Sequence, residues 1–320
     1  MDILLAGDFD VAERDRWRAA LDAALAPRCP GARWWCEGEA FDPAAIGVAV
    51  VANPPPGTLR ALPNLALVQS LWAGVDRLLA DATLPPHVPL VRMVDPAMNE
   101  AMAQTVLWAV LALHRGFFAY ARRQRERQWR PHAQRRADEV TVTLLGLGQM
   151  GLAAARRLVP LGYRVQGWTL HASPAADDGI VRAAGRDALA RLLARTDVVV
   201  NLLPLTPATR GLIDARFLAA LPQGAALVNV ARGAHVVEAD LLAALDAGHL
   251  RDAVLDVFAT EPLPPGHPFW AHPRVTVLPH AAALTDERSA AAVVAANLAA
   301  WRAGQPPQEL PGWVDRARGY

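Results

Sequence analysis

The chain has 320 residues, 53% hydrophobic and 20% charged, with 32 basic against 31 acidic groups and a net charge of +1. At roughly 150 residues per domain that length favours two domains, and the balanced charge supplies no field for nucleic acid or an anionic membrane. All of the basic residues are arginine, so neither a Schiff-base amine nor a Walker-type phosphate loop can be built.

No apolar leader and no membrane-length apolar run stands in the sequence, so a cytoplasmic chain is expected. Cys29 and Cys36 fit neither a CxxC redox pair nor a four-ligand zinc site; two reduced structural thiols are expected in that compartment, and no metal.

The N-terminal third alternates apolar runs with amphipathic stretches. Ile3 to Ala6, Ile46 to Ala52, Leu65 to Gln69 and Leu90 to Met93 are the predicted strands. Runs that are apolar without alternation are buried on both faces, which implies an α/β fold with a parallel sheet covered by helices. A long apolar helix is predicted over Glu100 to Tyr120. The segment ARRQRERQWRPHAQRRADE that follows reads as an exposed arm, a solvated face or a subunit contact rather than a nucleic-acid surface.

Beyond Glu139 six stronger strands are predicted: Val140 to Leu145, Arg164 to Trp168, Asp197 to Leu202, Ala226 to Val230, Ala253 to Phe258 and Val275 to Leu278. Separated by helical patterns, they make a doubly wound unit. A final helix over Thr285 to Trp301 is expected to return to the first domain.

Gly146, Gly148 and Gly151 form GLGQMG between the strand VTVTLL and the helical stretch LAAARRLV. In that context the first glycine permits the turn and the second admits a pyrophosphate to the backbone. The third lets helix and strand pack closely, while the helix N-terminus, with Gln149 and Met150, offers N–H donors. About 20 residues on, NAD-specific sites carry an acid for the ribose; here the strand ends in Trp168, Thr169, Leu170 and His171. A neutral Thr169 does not repel a 2′-phosphate, so NADP is expected ahead of NAD. His171 and, if its loop folds back, Arg182 are the nearest cations to meet that phosphate.

Three polar residues each stand just past an apolar strand: Arg232 after ALVNVA, Glu261 after AVLDVFAT and His280 after RVTVLP. Ligands bind at the carboxyl ends of strands in open parallel sheets, so these three are expected to converge. Reducing a ketone leaves an alkoxide that needs a proton donor near working pH, the role of a histidine. A neighbouring glutamate favours the imidazolium, and an arginine holds a carboxylate bidentately.

LVNVARGAHVVEADLLAAL, AVLDVFATEPLPPGHPFWAHPRV and LPHAAALT, together with GLGQMG and SLWAGVD at Ser70 to Asp76, resemble the signatures of the D-isomer-specific 2-hydroxyacid dehydrogenases over nearly the whole chain. Within that family the likeness is to the bacterial glyoxylate/hydroxypyruvate reductase A type. The resemblance implies two Rossmann-like domains with the active site in the cleft between them: residues 1–98 plus 286–320 for substrate binding and 99–285 for the dinucleotide. It implies Arg232, Glu261 and His280 as the catalytic set. The substrate carboxylate goes to the backbone of Leu71, Trp72, Ala73 and Gly74 together with Arg232. Asp256 holds the nicotinamide carboxamide, Leu203, Pro204 and Leu205 line the adenine side, and Val230, Ala231 and His280 complete the cofactor site. Glyoxylate or hydroxypyruvate is the implied small 2-oxo acid, and a homodimer the implied assembly. Two positions depart from the subgroup pattern. Trp72 is bulky where a small residue is usual, which favours the alternative of a larger aromatic or branched 2-oxo acid. Leu170 replaces an arginine for the 2′-phosphate. A dinucleotide-sensing regulator without turnover is the alternative of a different class.

Overall fold

A computed structural model describes residues 1–172 and 176–320. The chain divides into one unit of Met1–Met98 with Thr285–Tyr320 and a second of Asn99–Leu284.

The first unit starts with β1 (Asp2–Gly7), α1 (Val11–Leu25), β2 (Arg33–Cys36), β3 (Ile46–Ala52), β4 (Leu67–Ser70), α2 (Asp76–Leu79) and β5 (Leu90–Val91). Its sheet is wholly parallel in the order β2-β1-β3-β4-β5. Asp10 starts α1 by accepting the Glu13 N–H at 2.8 Å, satisfying a donor that the first helical turn leaves open. The helix then buries Trp17, Leu21 and Leu25 at four-residue spacing, one stripe of a 3.6-residue period.

Next come α3 (Pro96–Arg115), α4 (Phe117–Arg125), β6 (Thr141–Leu145), α5 (Gln149–Leu158), β7 (Arg164–Thr169), β8 (Ile180–Ala184) and α6 (Arg186–Leu193). They are followed by β9 (Val198–Asn201), α7 (Ala215–Ala219), β10 (Ala225–Asn229), α8 (Glu238–Asp246), β11 (Leu250–Leu255) and β12 (Val275–Val277). These strands form a parallel sheet in the order β12-β11-β10-β9-β6-β7-β8. Alternate residues feed two cores: Val198 and Val200 belong to one, Val199 to the other. Burial on both faces is why the central strands read as continuous apolar runs. The strand order reverses between β6 and β9, the kind of switch point beside which ligands bind in open parallel sheets. Finally α9 (Glu287–Arg302) belongs to the first unit and packs along α1.

Three features differ from the sequence expectation. Two strands stand outside the predicted set, β2 with RWWC and β8 with IVRAA. Both are edge strands with partly exposed residues, so neither presents an unbroken apolar run. The long helix after Glu100 is two helices, broken at Gly116, whose φ of +74° lies in the left-handed region that glycine adopts freely. The arginine-rich segment after Tyr120 is exposed but tethered. Arg122 binds the Asp252 carboxylate at 2.6 Å, Arg135 pairs with Asp197, and His114 Nε2 meets the Arg135 carbonyl at 2.8 Å.

Candidate active site

The GLGQMG turn follows β6 directly. Gly146 has φ +99°, and a Cβ there would stand 2.9 Å from the Leu202 carbonyl oxygen. At Gly151 a Cβ would overlap the Gly146 carbonyl oxygen, whereas one at Gly148 would meet no atom within 4 Å. The first and third glycines are therefore required by the fold, and the second borders open space in front of the α5 N-terminus. Gln149 and Met150 form the first turn of α5, so their N–H groups carry its positive dipole end. This cradle fits a dinucleotide pyrophosphate on backbone alone.

Thr169 ends β7 and donates its hydroxyl to the His171 carbonyl at 2.7 Å; His171 is exposed and Leu170 packs on the core. Arg182 lies on β8 in a two-pronged pair with Asp178, both contacts 2.6 Å. Its charge is thus already matched by a carboxylate. The loop expected to carry it back includes residues 173–175, outside the described residues.

Past β9, Leu203 is buried and its N–H donates to Asn201 Oδ1 at 3.3 Å; the Pro204 carbonyl accepts the Thr209 hydroxyl at 2.8 Å, and Leu205 follows, partly buried. Past β10, Val230 and Ala231 are buried, and Arg232 donates from Nη1 to the Ala231 carbonyl at 2.7 Å.

His280 and Glu261 come together, with Nδ1 and Oε2 2.7 Å apart. Glu261 Oε1 accepts the Phe258 N–H at 2.9 Å, which fixes the carboxylate. Burial works to raise the Glu261 pKa, but the hydrogen bonds from His280 and Phe258 outweigh it and hold the carboxyl below its usual range. In the other direction, the Glu261 hydrogen bond raises His280 against the effect of burial. Arg232 is near enough for its charge to lower both groups. The histidine side chain is 52% exposed, so its free edge is accessible. With Nδ1 on the carboxylate, Nε2 is left to deliver a proton.

Asp256, 1% exposed, lies just past β11. Its carboxylate accepts the N–H groups of Ala281 at 2.7 Å and Ala282 at 3.1 Å, while its carbonyl accepts the His280 N–H at 2.8 Å. These bonds hold His280 at φ +55°, an unfavourable region for a residue with a Cβ. The resemblance implies a role for Asp256 toward the cofactor; its grip on the histidine loop depends on a contact 25 residues away in sequence.

In the first unit the segment after β4 commits two of its amides internally. Leu71 N–H goes to the Val51 carbonyl at 2.8 Å and Trp72 N–H to Ser70 Oγ at 3.0 Å. The Trp72 carbonyl accepts the Met93 N–H at 3.0 Å, and its indole meets Trp17 edge to face at 6.2 Å. Among the described residues no backbone carbonyl takes the N–H of Ala73 or Gly74.

Asn201, Asn229 and His235 are buried polar residues behind Arg232 that the sequence reading passed over. The two asparagines have a sequence signal: VVVN and ALVN each end an apolar strand on a polar side chain.

Residues 107–282 match the family model of the D-isomer specific 2-hydroxyacid dehydrogenase NAD binding domain. The chain is 42% identical over 305 residues to a glyoxylate/hydroxypyruvate reductase A from Serratia proteamaculans, covering 93% of this chain and 95% of that protein. Among solved structures it is similar to a D-isomer specific 2-hydroxyacid dehydrogenase from Xanthobacter autotrophicus in complex with NADPH and MES, at 42% identity, TM-score 0.91 and coverage of 100% and 99%. An NADPH-dependent glyoxylate/hydroxypyruvate reductase from Sinorhizobium meliloti, in complex with NADP and sulfate, gives 35% identity, TM-score 0.88 and the same coverage.

Proposed function

Because this chain belongs to the D-isomer-specific 2-hydroxyacid dehydrogenase family, we propose that it reduces small 2-oxo acids, glyoxylate and hydroxypyruvate, to their 2-hydroxy acids with NADPH ahead of NADH. The observation that carries this reading is the 2.7 Å His280–Glu261 pair with Arg232 beside it. Gly146, Gly148 and Gly151 with the α5 N-terminus hold the pyrophosphate, and the open space at Gly148 supports that fit. Leu203, Pro204, Leu205, Val230 and Ala231 line the dinucleotide, and Asp256 meets the carboxamide. When bound, the nicotinamide supplies a hydride to the substrate carbonyl carbon.

Arg232 clamps the substrate carboxylate and polarises the adjacent carbonyl. His280 then delivers the Nε2 proton to the developing alkoxide. Glu261 keeps the imidazole charged beforehand and orients it throughout. The family relatives named for glyoxylate and hydroxypyruvate support the small substrate class.

The test is a matrix of kcat/KM over NADPH and NADH against glyoxylate, hydroxypyruvate and phenylpyruvate. Turnover of the two small acids is expected to lead, with NADPH favoured by about one decade, the lower end of a charge-assisted contact. Faster phenylpyruvate reduction would move the substrate class to the larger acids that Trp72 suggests. Thr169→Asp is expected to reverse the cofactor preference by repelling the 2′-phosphate and accepting the ribose hydroxyls; a wild type favouring NADH removes the NADPH assignment and leaves the reaction class standing.

Among the described residues no helix is long and apolar enough to cross a membrane, and we infer a cytoplasmic homodimer. Trp108, Phe117 and Trp129 are exposed on α3, α4 and the arginine-rich segment, an apolar display that supports a second copy as the partner. Light scattering is expected to give twice the chain mass.

A further inference from the structure

We propose that His235 is a positioning residue that fixes Arg232 through a buried chain of side-chain amides and ties it to the Pro204 segment; the proposal rests on the role given to Arg232 above. Asn201 and Asn229 are fully buried at the ends of β9 and β10, and His235 is 1% exposed. The orientation of each group follows from its neighbours. Asn201 Oδ1 receives the Leu203 N–H at 3.3 Å, so its Nδ2 end faces inward. That Nδ2 donates to Asn229 Oδ1 and to His235 Nδ1, each at 3.0 Å. Asn229 Oδ1 also takes the Ala231 N–H at 3.3 Å, and Asn229 Nδ2 donates to the Arg232 carbonyl at 3.0 Å.

Nδ1 of His235 stands between Asn201 Nδ2, which can only donate, and the Arg232 carbonyl at 3.1 Å, which can only accept. The Arg232 carbonyl already receives Asn229 Nδ2, so the tautomer that accepts from Asn201 is assigned, with the ring proton on Nε2. In that tautomer Nε2 donates to the Pro204 carbonyl at 3.3 Å. The run Pro204, His235, Asn201, Asn229, Arg232 is then hydrogen-bonded from end to end. From the opposite side the turn is held by Gly233, where a Cβ would overlap the Phe258 carbonyl. Phe258 is also the residue whose N–H fixes Glu261.

Apolar side chains would fill this space without the cost of desolvating three polar groups. What the network adds is direction: a fully satisfied buried polar chain has one arrangement. A guanidinium on a backbone held this way loses less freedom when it grips a carboxylate. The consequence falls on binding of the 2-oxo acid more than on proton delivery, which His280 and Glu261 perform.

Two variants separate the halves of the network. His235→Gln keeps an N–H at the level of Nε2 for Pro204 but offers Asn201 no acceptor. His235→Asn places Oδ1 where Nδ1 stood and keeps that acceptor. The readouts are KM and kcat for glyoxylate, dissociation constants for NADPH and for oxalate added to the NADPH-bound enzyme by calorimetry, and the melting temperature. For H235Q, KM and the oxalate constant are expected to rise about tenfold, the effect of one buried hydrogen bond, with kcat and NADPH affinity within about threefold. H235N is expected to stay within about threefold of wild type in both, since its acceptor reaches the Asn201 side of the chain. Equal oxalate constants in the two variants, or a loss of NADPH affinity matching the loss for oxalate, would overturn the proposal. Lower melting temperatures with unchanged oxalate binding would reduce His235 to a structural residue and overturn it too. A wild type inactive on both 2-oxo acids refutes the functional reading alone, because the binding arms need no turnover. A wild type that does not bind oxalate refutes the role of Arg232 and that of His235 with it.

Discussion

Two turns at the carboxyl end of the second sheet are shaped by opposite means. The turn from Gly146 to Gly151 is shaped by missing atoms: a Cβ at the first or last glycine would strike backbone. The turn from His280 to Ala282 is shaped by an added group, the buried Asp256 carboxylate that gathers the N–H groups of Ala281 and Ala282. The first gives its Gly146 N–H to the Trp168 carbonyl and opens space at Gly148, before the N-terminus of α5. The second uses up backbone donors in order to present a single side chain, His280, from a left-handed backbone. A site that holds a phosphate needs only an accessible backbone, whereas one that delivers a proton must orient one imidazole, and that demands a clamp.

Removing the presented side chain has the largest expected effect. His280→Asn is expected to lower kcat for glyoxylate by about 10²- to 10⁴-fold, the usual worth of general acid catalysis, with the NADPH dissociation constant nearly unchanged. A parallel loss of NADPH affinity would show that the two turns are not separable.

The glycine turn can be tested by contrasting its own members. Gly148→Ala is expected to weaken NADPH by at least about tenfold, because the added methyl enters the space reserved for the pyrophosphate, while the melting temperature holds. Gly151→Ala should instead destabilise the fold by about 1–3 kcal/mol through overpacking against Gly146. A Gly148→Ala protein that binds NADPH as wild type does would place the phosphates elsewhere.

Asp256→Asn attacks the clamp. One carboxylate oxygen becomes an amide that cannot accept, and a buried N–H of Ala281 or Ala282 loses its partner, at a cost of about 1–3 kcal/mol. A melting temperature lower by several degrees and a reduced kcat are expected together; a loss of NADPH affinity alone would leave Asp256 as a cofactor ligand without the clamp.

The smallest expected effect is a displacement of the pH profile. The Glu261 hydrogen bond raises the His280 pKa, and reduction needs the charged ring, so activity is full at low pH and falls as pH rises through the raised value. Glu261→Gln removes that support, and the fall should begin at more acid pH, read from kcat/KM for glyoxylate. The same sign governs stability. The pair's contribution is present between the lowered Glu261 value and the unfolded histidine value, and is lost as pH rises through the raised histidine value or falls through the lowered Glu261 value. An unmoved profile in the glutamine variant would uncouple Glu261 from the proton donor.

How much of this was legible in the chain follows the same division. GLGQMG could be read because glycine spacing after an apolar strand specifies a backbone shape locally. The three polar residues could be read because each follows a strand, and parallel strands bring their carboxyl ends together. Edge strands β2 and β8 were missed because, with one side open, their residues do not form an apolar run. His235 carries no such signal, since nothing near it in sequence marks it as buried; its partners Asn201 and Pro204 come from another strand end, 34 and 31 residues away.

By itself, then, the sequence determined which strands are central, where a tight glycine turn opens a helix and which residue types could carry proton transfer, because these depend on local periodicity and on residue chemistry. The tertiary structure alone decided that Asp256 clamps the histidine turn, that Leu71 and Trp72 spend their amides internally, and that two asparagines and a histidine stand behind Arg232. Hydrogen bonds between distant segments depend on the register of neighbouring strands and on which backbone groups are already satisfied, and both are properties of the folded chain.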